Sequence, residues 1–154
     1  MLKIVHPVAG AIAMLTIASF WLSTALSELF APQWVVVAVK SAIPWGLLVL
    51  VPALMAAGGS GFTLAAGRRG GLIGAKLRRM PIIAGNGILI LVPAAFYLAA
   101  KARADAFDTP FYLVQAIELA AGAMNIVLLA LNTRDGLKLK GRLRKQTAPQ
   151  VAAP

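Results

Sequence analysis

The residue of this chain that most requires a chemical explanation is Glu118, a carboxylate inside a long apolar run. A charged side chain within an apolar membrane helix is costly, faces the interior of the bundle and usually has a partner. On a helix, Gln115, Gly122 and Asn125 stand at spacings of three, four and seven residues from Glu118, and Asn132 follows Asn125 by seven. These spacings place all five residues along one helix face. Lipid offers that face no hydrogen bonds, so we expect it to point into a helix bundle.

Two further polar side chains are predicted at the depth of Glu118. The runs that contain Lys40 and Glu118 start on the same side of the predicted bundle, and Tyr97 lies at a comparable depth in a third run. We therefore treat Glu118, Lys40, Gln115 and Tyr97 as candidate ligand- or proton-binding residues. One hypothesis is a proton-titrating carboxylate, as in a carrier that exchanges protons for a cation. The other is a buried ion pair or hydrogen-bonded clasp that fixes the helix register.

A second pair of polar residues is predicted nearer the other side of the bundle. Asn86 and Asn125 fall at the same depth in two neighbouring runs. We expect them to hydrogen-bond between helices, a contact that contributes on the order of 0.6–2 kcal/mol. Their predicted role is structural.

Few residues of this chain could bind a metal or a cofactor. The chain has no cysteine, which excludes disulfides, iron–sulfur clusters and thiolate zinc sites. Its single histidine, His6, is a candidate haem ligand, but one histidine cannot supply a bis-histidine haem b. A haem would need a homodimer or a second ligand from Met14, Met80 or Met124. The alternative is an interfacial histidine that caps or snorkels, and no other metal site is predicted.

Catalytic motifs are missing from the sequence. One histidine and five acidic residues leave no HExxH zinc motif and no Ser-His-Asp set. The glycines that flank Ser60 are typical of close packing between membrane helices. A backbone approach to a flat ligand such as a porphyrin is the alternative reading of these glycines. We predict that the chain is not an enzyme.

The composition explains why polar residues must share a bundle interior. The chain is 60% hydrophobic and 13% charged, against about 45–50% and about 25% in ordinary soluble domains. Four apolar runs are close to or longer than the roughly 20 residues that span a bilayer as a helix, and all are too long for a barrel strand. The predicted fold is an all-α integral membrane four-helix bundle over residues 1–145, followed by a disordered tail over 146–154. The predicted spans are 7–27, 34–66, 81–100 and 111–131.

The positive charges predict the orientation of these spans. The net charge of +10 is concentrated in short clusters between apolar runs, a pattern of cytoplasmic anchoring rather than of nucleic-acid binding. The positive-inside rule places both termini and the middle connection in the cytoplasm. The Ala/Gly/Arg-rich composition suggests a bacterial inner membrane. The residues expected to contact anionic lipid headgroups are Arg68, Arg69, Arg78, Arg79, Lys138 and Lys140.

The first run and the two halves of the chain each allow two interpretations. The first run resembles a signal peptide, but it is longer than the usual 7–15 residues, so we predict that it is retained as a span. The halves share a faint similarity, which permits a duplicated 2+2 hairpin. The alternative is chance resemblance among Ala/Leu/Gly-rich segments. The similar stretches are His6-Pro7-Val8-Ala9-Gly10 and Met80-Pro81-Ile82-Ile83-Ala84-Gly85.

Three functions are compatible with these features. The predicted one is a non-catalytic accessory or scaffold subunit that packs in a homodimer or a larger membrane complex. The second is a small proton-coupled carrier that uses Glu118. The third is a haem b- or quinone-binding subunit in electron transfer.

Overall fold

The computed structural model of the chain describes residues 2–65, 67 and 70–146, and side chains in that part except at 2, 3, 140 and 142–146. Within it the chain is helical, with short connections and no strand. The elements are α1 (Leu2–Phe30), α2 (Gln33–Ala65), α3 (Gly71–Asn86), a π-helical segment (Gly87–Leu91), α4 (Val92–Arg103) and α5 (Thr109–Gln146). Of the predicted disordered tail over 146–154, Gln146 is the last residue of α5, and residues 147–154 lie outside the described part.

Four helical stretches are long and apolar enough to cross a membrane, which confirms the predicted fold class. They are α1, α2, the continuous stretch from α3 to α4 (the third span, Gly71–Arg103) and α5 (the fourth span). Many large apolar side chains are exposed along them, among them Leu15, Trp45 and Met55 at about 70% exposure. Exposing this much apolar area to water would be unfavourable, so we expect lipid to cover this surface.

The four spans run alternately up and down and form a closed ring. Around the ring, α1 packs on α2, α2 on α4, the third span on α5, and α5 on α1. The helices α2 and α5 therefore lie diagonally opposite each other, as do α1 and the third span. We call the end with the connection between α2 and α3 the basic end, and the end with the connections at 31–32 and 104–108 the acidic end. The first turns of α1 and the last turns of α5 lie at the basic end.

Small residues let the helices approach closely around the core. The core cluster includes Ala13, Ile17, Ile43 and Ala95, all nearly inaccessible. Gly46 favours this approach, because a Cβ atom at its position would collide with the ring of Phe20 on α1 unless that ring shifted. The close α1–α2 packing that results positions the polar residues of both helices.

The third span begins at Gly71, earlier than the predicted start at residue 81. Residues 72–80 contain good helix formers and no proline, so the helix extends past the apolar segment into the basic stretch. A helix of 33 residues is about 50 Å long, longer than the about 30 Å hydrocarbon core. Lys76, Arg78 and Arg79 consequently lie on a helix rather than in the predicted loop.

Proline positions account for the irregular helical segment. Pro93 has no N–H to donate to the carbonyl of Leu89, and its ring would clash with that carbonyl in a regular helix. The chain widens to a π-helical turn over Gly87–Leu91, in which the Val92 N–H donates to the Gly87 oxygen. Such turns are a common way to absorb a helix irregularity. Along α2, Pro44 similarly leaves the Lys40 carbonyl without its helical donor.

Candidate functional site

Lys40 and Glu118 form an ion pair across the centre of the bundle. The Lys40 Nζ donates to Glu118 Oε2 at 2.6 Å. The two side chains are 1% and 12% exposed. They come from α2 and α5, which are diagonal rather than neighbouring helices, so the bond passes through the bundle interior. This pair links two spans that make no direct backbone approach.

A second carboxylate, Glu28 on α1, belongs to the same cluster. Its charge interacts with those of both Lys40 and Glu118. Its Oε1 atom is buried and has no hydrogen-bond partner within the described part of the chain. Two carboxylates and one ammonium give this cluster a formal charge of −1. The predicted span 7–27 ends just before Glu28, whereas the helix continues through Phe30 and includes this carboxylate.

Gln115 adds an amide with no partner to the same region. It lies one helical turn before Glu118, is 4% exposed, and has neither Nε2 nor Oε1 hydrogen-bonded among the described residues. Buried amides of this kind are normally paired with protein or water. The cluster of Glu28, Lys40, Gln115 and Glu118 (the acidic-end cluster) therefore has unused donors and acceptors.

Tyr97, the remaining sequence candidate, is not brought into this cluster. It is 39% exposed, and the Lys101 ammonium stands 5.9 Å from the centre of its ring. No hydrogen bond joins it to Lys40 or Glu118 in the described part of the chain. Its depth agrees with that of the pair, but its direction around the helix differs.

A cavity of about 50 Å³ adjoins the acidic-end cluster. Glu118 and Thr24 contribute polar groups to a wall that is otherwise apolar. Sites for organic ligands usually have about 300–1,000 Å³, whereas a cavity of this size suits a few water molecules or a small ion. The lining residues are Ile17, Phe20, Trp21, Thr24, Ile43, Leu47, Leu50, Leu91, Ala95, Glu118, Leu119 and Gly122.

The structure brings Asn86 and Asn125 together between the third and fourth spans. Asn86 Nδ2 donates to Asn125 Oδ1 at 2.9 Å and to the Ala121 carbonyl at 2.8 Å, and Asn125 Nδ2 donates to the Ile83 carbonyl at 3.3 Å. Both side chains are buried. The π-helical segment begins at Gly87, directly after Asn86. These bonds fix the depth of α3 against α5 at this level.

His6 lies between three helices, and both of its ring nitrogens have partners. Nδ1 is 2.9 Å from the Ala57 carbonyl and 3.2 Å from the Ser60 hydroxyl, and Nε2 is 2.9 Å from Lys76 Nζ. A carbonyl only accepts and an ammonium only donates, so these partners assign the proton to Nδ1. Haem ligation through Nε2 would require the Lys76 contact to break. Gly61 allows the close approach, because a Cβ there would stand 3.1 Å from the imidazole.

The predicted lipid-contacting residues divide into two groups. Arg78 and Lys138 are exposed at the basic end, whereas Arg79 is 22% exposed and pairs with buried Asp135 on α5 at 2.7 Å. The Arg79–Asp135 pair differs from the sequence prediction, which places Arg79 in the connection between the second and third spans. Arg68 and Arg69 lie outside the described residues, as does the side chain of Lys140.

Within the described residues no three His, Asp or Glu side chains come together in a metal-like group. The interior polar side chains instead form the acidic-end cluster, the Asn86–Asn125 pair and the contacts of Arg79 and His6. Compared with known proteins, the chain matches no protein-family model, and no curated protein or solved structure is significantly similar to it.

Proposed function

We propose that this protein is a non-catalytic accessory or scaffold subunit of a bacterial inner membrane, with both termini in the cytoplasm. The observation that supports it best is the use of interior polar side chains. At several levels of the bundle they connect different spans, and the cavity beside the acidic-end cluster is far smaller than an organic substrate. From the acidic to the basic end these contacts are Lys40–Glu118, Trp21–Leu119, Asn86–Asn125, Arg79–Asp135 and His6 with Ala57 and Lys76.

The energetic effect of these contacts is to hold one arrangement of the four spans. Each interhelical hydrogen bond in a membrane contributes about 0.6–2 kcal/mol. Breaking a contact leaves a polar group in a low-dielectric interior, so sliding or rotating one span is disfavoured at several levels at once. A rigid bundle with an apolar exterior suits a role in packing against another membrane protein or a second copy of this chain.

Photocrosslinking in native membranes tests the accessory role. A photoreactive phenylalanine analogue would replace exposed apolar residues, one at a time, at Trp45, Phe62 and Leu113. We expect at least one position to give a discrete protein adduct, identified by mass spectrometry, whereas buried Leu98 should give none. Adducts to lipid alone at every exposed position, together with a single-copy mass in native mass spectrometry, would contradict the proposal.

The absence of cysteine makes the proposed orientation simple to test. Pro32→Cys probes the acidic end and Gly70→Cys the basic end. With a membrane-impermeant maleimide on intact spheroplasts, we expect labelling of the first variant and not of the second, which should react only after lysis. The reverse pattern would overturn the cytoplasmic placement of the termini.

A second candidate function is reversible binding of a proton or small cation at the acidic-end cluster. The specific support is its formal charge of −1 together with the unpaired Gln115 amide and Glu28 oxygen. A purely structural ion pair has no need for an extra carboxylate. The adjacent cavity extends from Glu118 toward the middle of the bundle, where Ile17, Leu50 and Leu91 line it, and it is large enough for water.

Flux measurements separate the two candidates. Purified protein would be reconstituted into vesicles with an enclosed pH-sensitive dye, and proton uptake followed after a pH jump. If the second candidate is right, Glu118→Gln should abolish uptake, while Asp108→Asn, which removes a carboxylate from the exposed connection, should not. If uptake equals that of protein-free vesicles and Glu118→Gln only lowers thermal stability, the structural role of the pair is supported.

A further inference from the structure

The basic end contains a group of cationic side chains around one buried carboxylate. Arg79 on α3 uses Nη1 for two bonds to α5, to Asp135 Oδ2 at 2.7 Å and to Asn132 Oδ1 at 3.4 Å. The Asp135 carboxylate, only 1% exposed, also accepts from Arg134 at 3.4 Å. Asn132 and Asp135 thus hold the Arg79 guanidinium in one orientation. The other Arg79 nitrogens make no hydrogen bond within the described part of the chain.

Asn132 provides an observation that points to a ligand. Its side chain is 4% exposed, and its Nδ2 has no hydrogen-bond partner among the described residues. The amide oxygen accepts from Arg79, and the unpaired nitrogen is bonded to the same amide carbon. A buried donor without a partner is unfavourable, and such groups in native proteins usually meet water or a ligand. Here the missing partner has to be an acceptor.

The net charge of the surrounding side chains indicates that this partner is an anion. Lys76 completes the group: its charge interacts with Asp135, and its Nζ would lie 3.6 Å from a Cβ atom at Gly136. Arg79, Arg134 and Lys76 against Asp135 give a formal charge of +2. The neutral His6 ring accepts a bond from Lys76 and adds no negative charge. An acceptor with about two negative charges would balance the group.

We propose that Lys76, Arg79, Asn132 and Arg134 bind a phosphate group, either that of an anionic lipid headgroup or of free phosphate. Guanidinium forks match phosphate oxygens in geometry and charge, and a lysine adds a mobile point charge. Basic pockets between membrane helices on the cytoplasmic side commonly hold the headgroups of multiply charged lipids. Exposed Leu137 continues the apolar surface next to the group, as an acyl chain requires. This site does not depend on the accessory role proposed above.

The test compares lipids and free phosphate on the purified full chain. Native mass spectrometry and thermal unfolding would be measured in detergent with added cardiolipin, phosphatidylglycerol or phosphatidylcholine, and separately with inorganic phosphate. We expect cardiolipin to bind most tightly and to raise the unfolding temperature, with phosphatidylcholine without effect. Saturation by inorganic phosphate alone would assign the site to a free anion. No selective binding of any phosphate compound would overturn the proposal.

Matched variants separate a specific site from general surface charge. Asn132→Asp replaces the unpaired donor by a negative oxygen at almost constant shape, and it should weaken lipid binding about tenfold to a hundredfold, the scale of a lost charge-assisted hydrogen bond. Arg78→Gln removes one positive charge at an exposed neighbouring position and should weaken binding by no more than about twofold.

A third variant keeps the test decisive if Asn132→Asp does not fold. Arg134 is 57% exposed, so Arg134→Gln should fold and still weaken cardiolipin binding about tenfold. Equal weakening by Arg134→Gln and Arg78→Gln would show diffuse electrostatic attraction and would refute a built site.

Discussion

Removing Lys40 should destabilise the bundle more than removing the charge of Glu118. Lys40→Met leaves the interacting negative charges of Glu28 and Glu118 in the interior, with no other cation of the acidic-end cluster to balance them. Glu118→Gln instead leaves Lys40 with Glu28 as counter-charge. The expected difference between the two variants comes from Glu28, a third charged group that an isolated ion pair would lack.

The magnitude follows from burial and distance. Charges about 4 Å apart at an effective dielectric of about 20 attract by about 4 kcal/mol, and removing one partner of a buried pair costs about 3–5 kcal/mol. With Lys40 only 1% exposed, we expect Lys40→Met to cost about 3–5 kcal/mol. Glu118→Gln keeps a hydrogen-bonding group and a balancing carboxylate, so about 1–3 kcal/mol is expected. The double variant should lose less than the sum of both.

The assay is reversible unfolding in mixed detergent micelles, followed by helical circular dichroism as the fraction of denaturing detergent rises. The double-mutant cycle gives the coupling between Lys40 and Glu118. Equal losses of unfolding free energy in Lys40→Met and Glu118→Gln would refute the role of Glu28 as a third charge in this cluster. A double variant that loses the full sum would show that the 2.6 Å contact contributes no coupling. If Lys40→Met cannot be purified, Lys40→Gln provides the same comparison.

Two further predictions concern packing and pH. Gly46→Ala should lower the free energy of unfolding by about 1–3 kcal/mol, because the added methyl group meets the Phe20 ring; Gly58→Ala, where the space is open, is the control, and equal losses would contradict the steric reason. At the exposed acidic end, the hydrogen bond from Lys101 lowers the pKa of Asp108, so ionised Asp108 favours the folded state. This small stabilisation should be complete above the unfolded-state pKa near 4 and be lost as pH falls through the lower folded-state pKa. Unfolding temperatures measured from pH 6 to about 2 should show this slope, and Asp108→Asn should remove it; an unchanged slope would assign it to another group.

Much of the fold could be predicted because membrane spans are local features. An apolar run of sufficient length must be helical in lipid, whatever surrounds it. Span ends were less predictable: helix formers in the basic stretch before Pro81 carry the helix back to Gly71. Hydropathy reports where lipid ends, while helix propensity and hydrogen bonding decide where the helix ends.

The candidate site could be predicted only in part. The spacing of Gln115, Glu118 and Asn125 identified an inward face of α5, because one helix repeats every 3.6 residues. Depth arguments also placed Lys40 and Tyr97 near Glu118. Depth gives one coordinate of a side chain and leaves its direction around the helix undetermined. In the structure the Lys40 side chain is buried inside the bundle, whereas Tyr97 is 39% exposed.

From the sequence alone follow four spans, an inward polar face on α5, and a carboxylate within that face that needs a partner. Only the tertiary structure decides that α2 and α5 lie diagonally, so that the Lys40–Glu118 bond crosses the interior. It likewise decides that Glu28 joins this pair and that Asp135 binds Arg79. The physical reason is that these contacts depend on which helices are neighbours and on how each is rotated about its axis. Those quantities are set by packing among all four spans, not by the residues of any one of them.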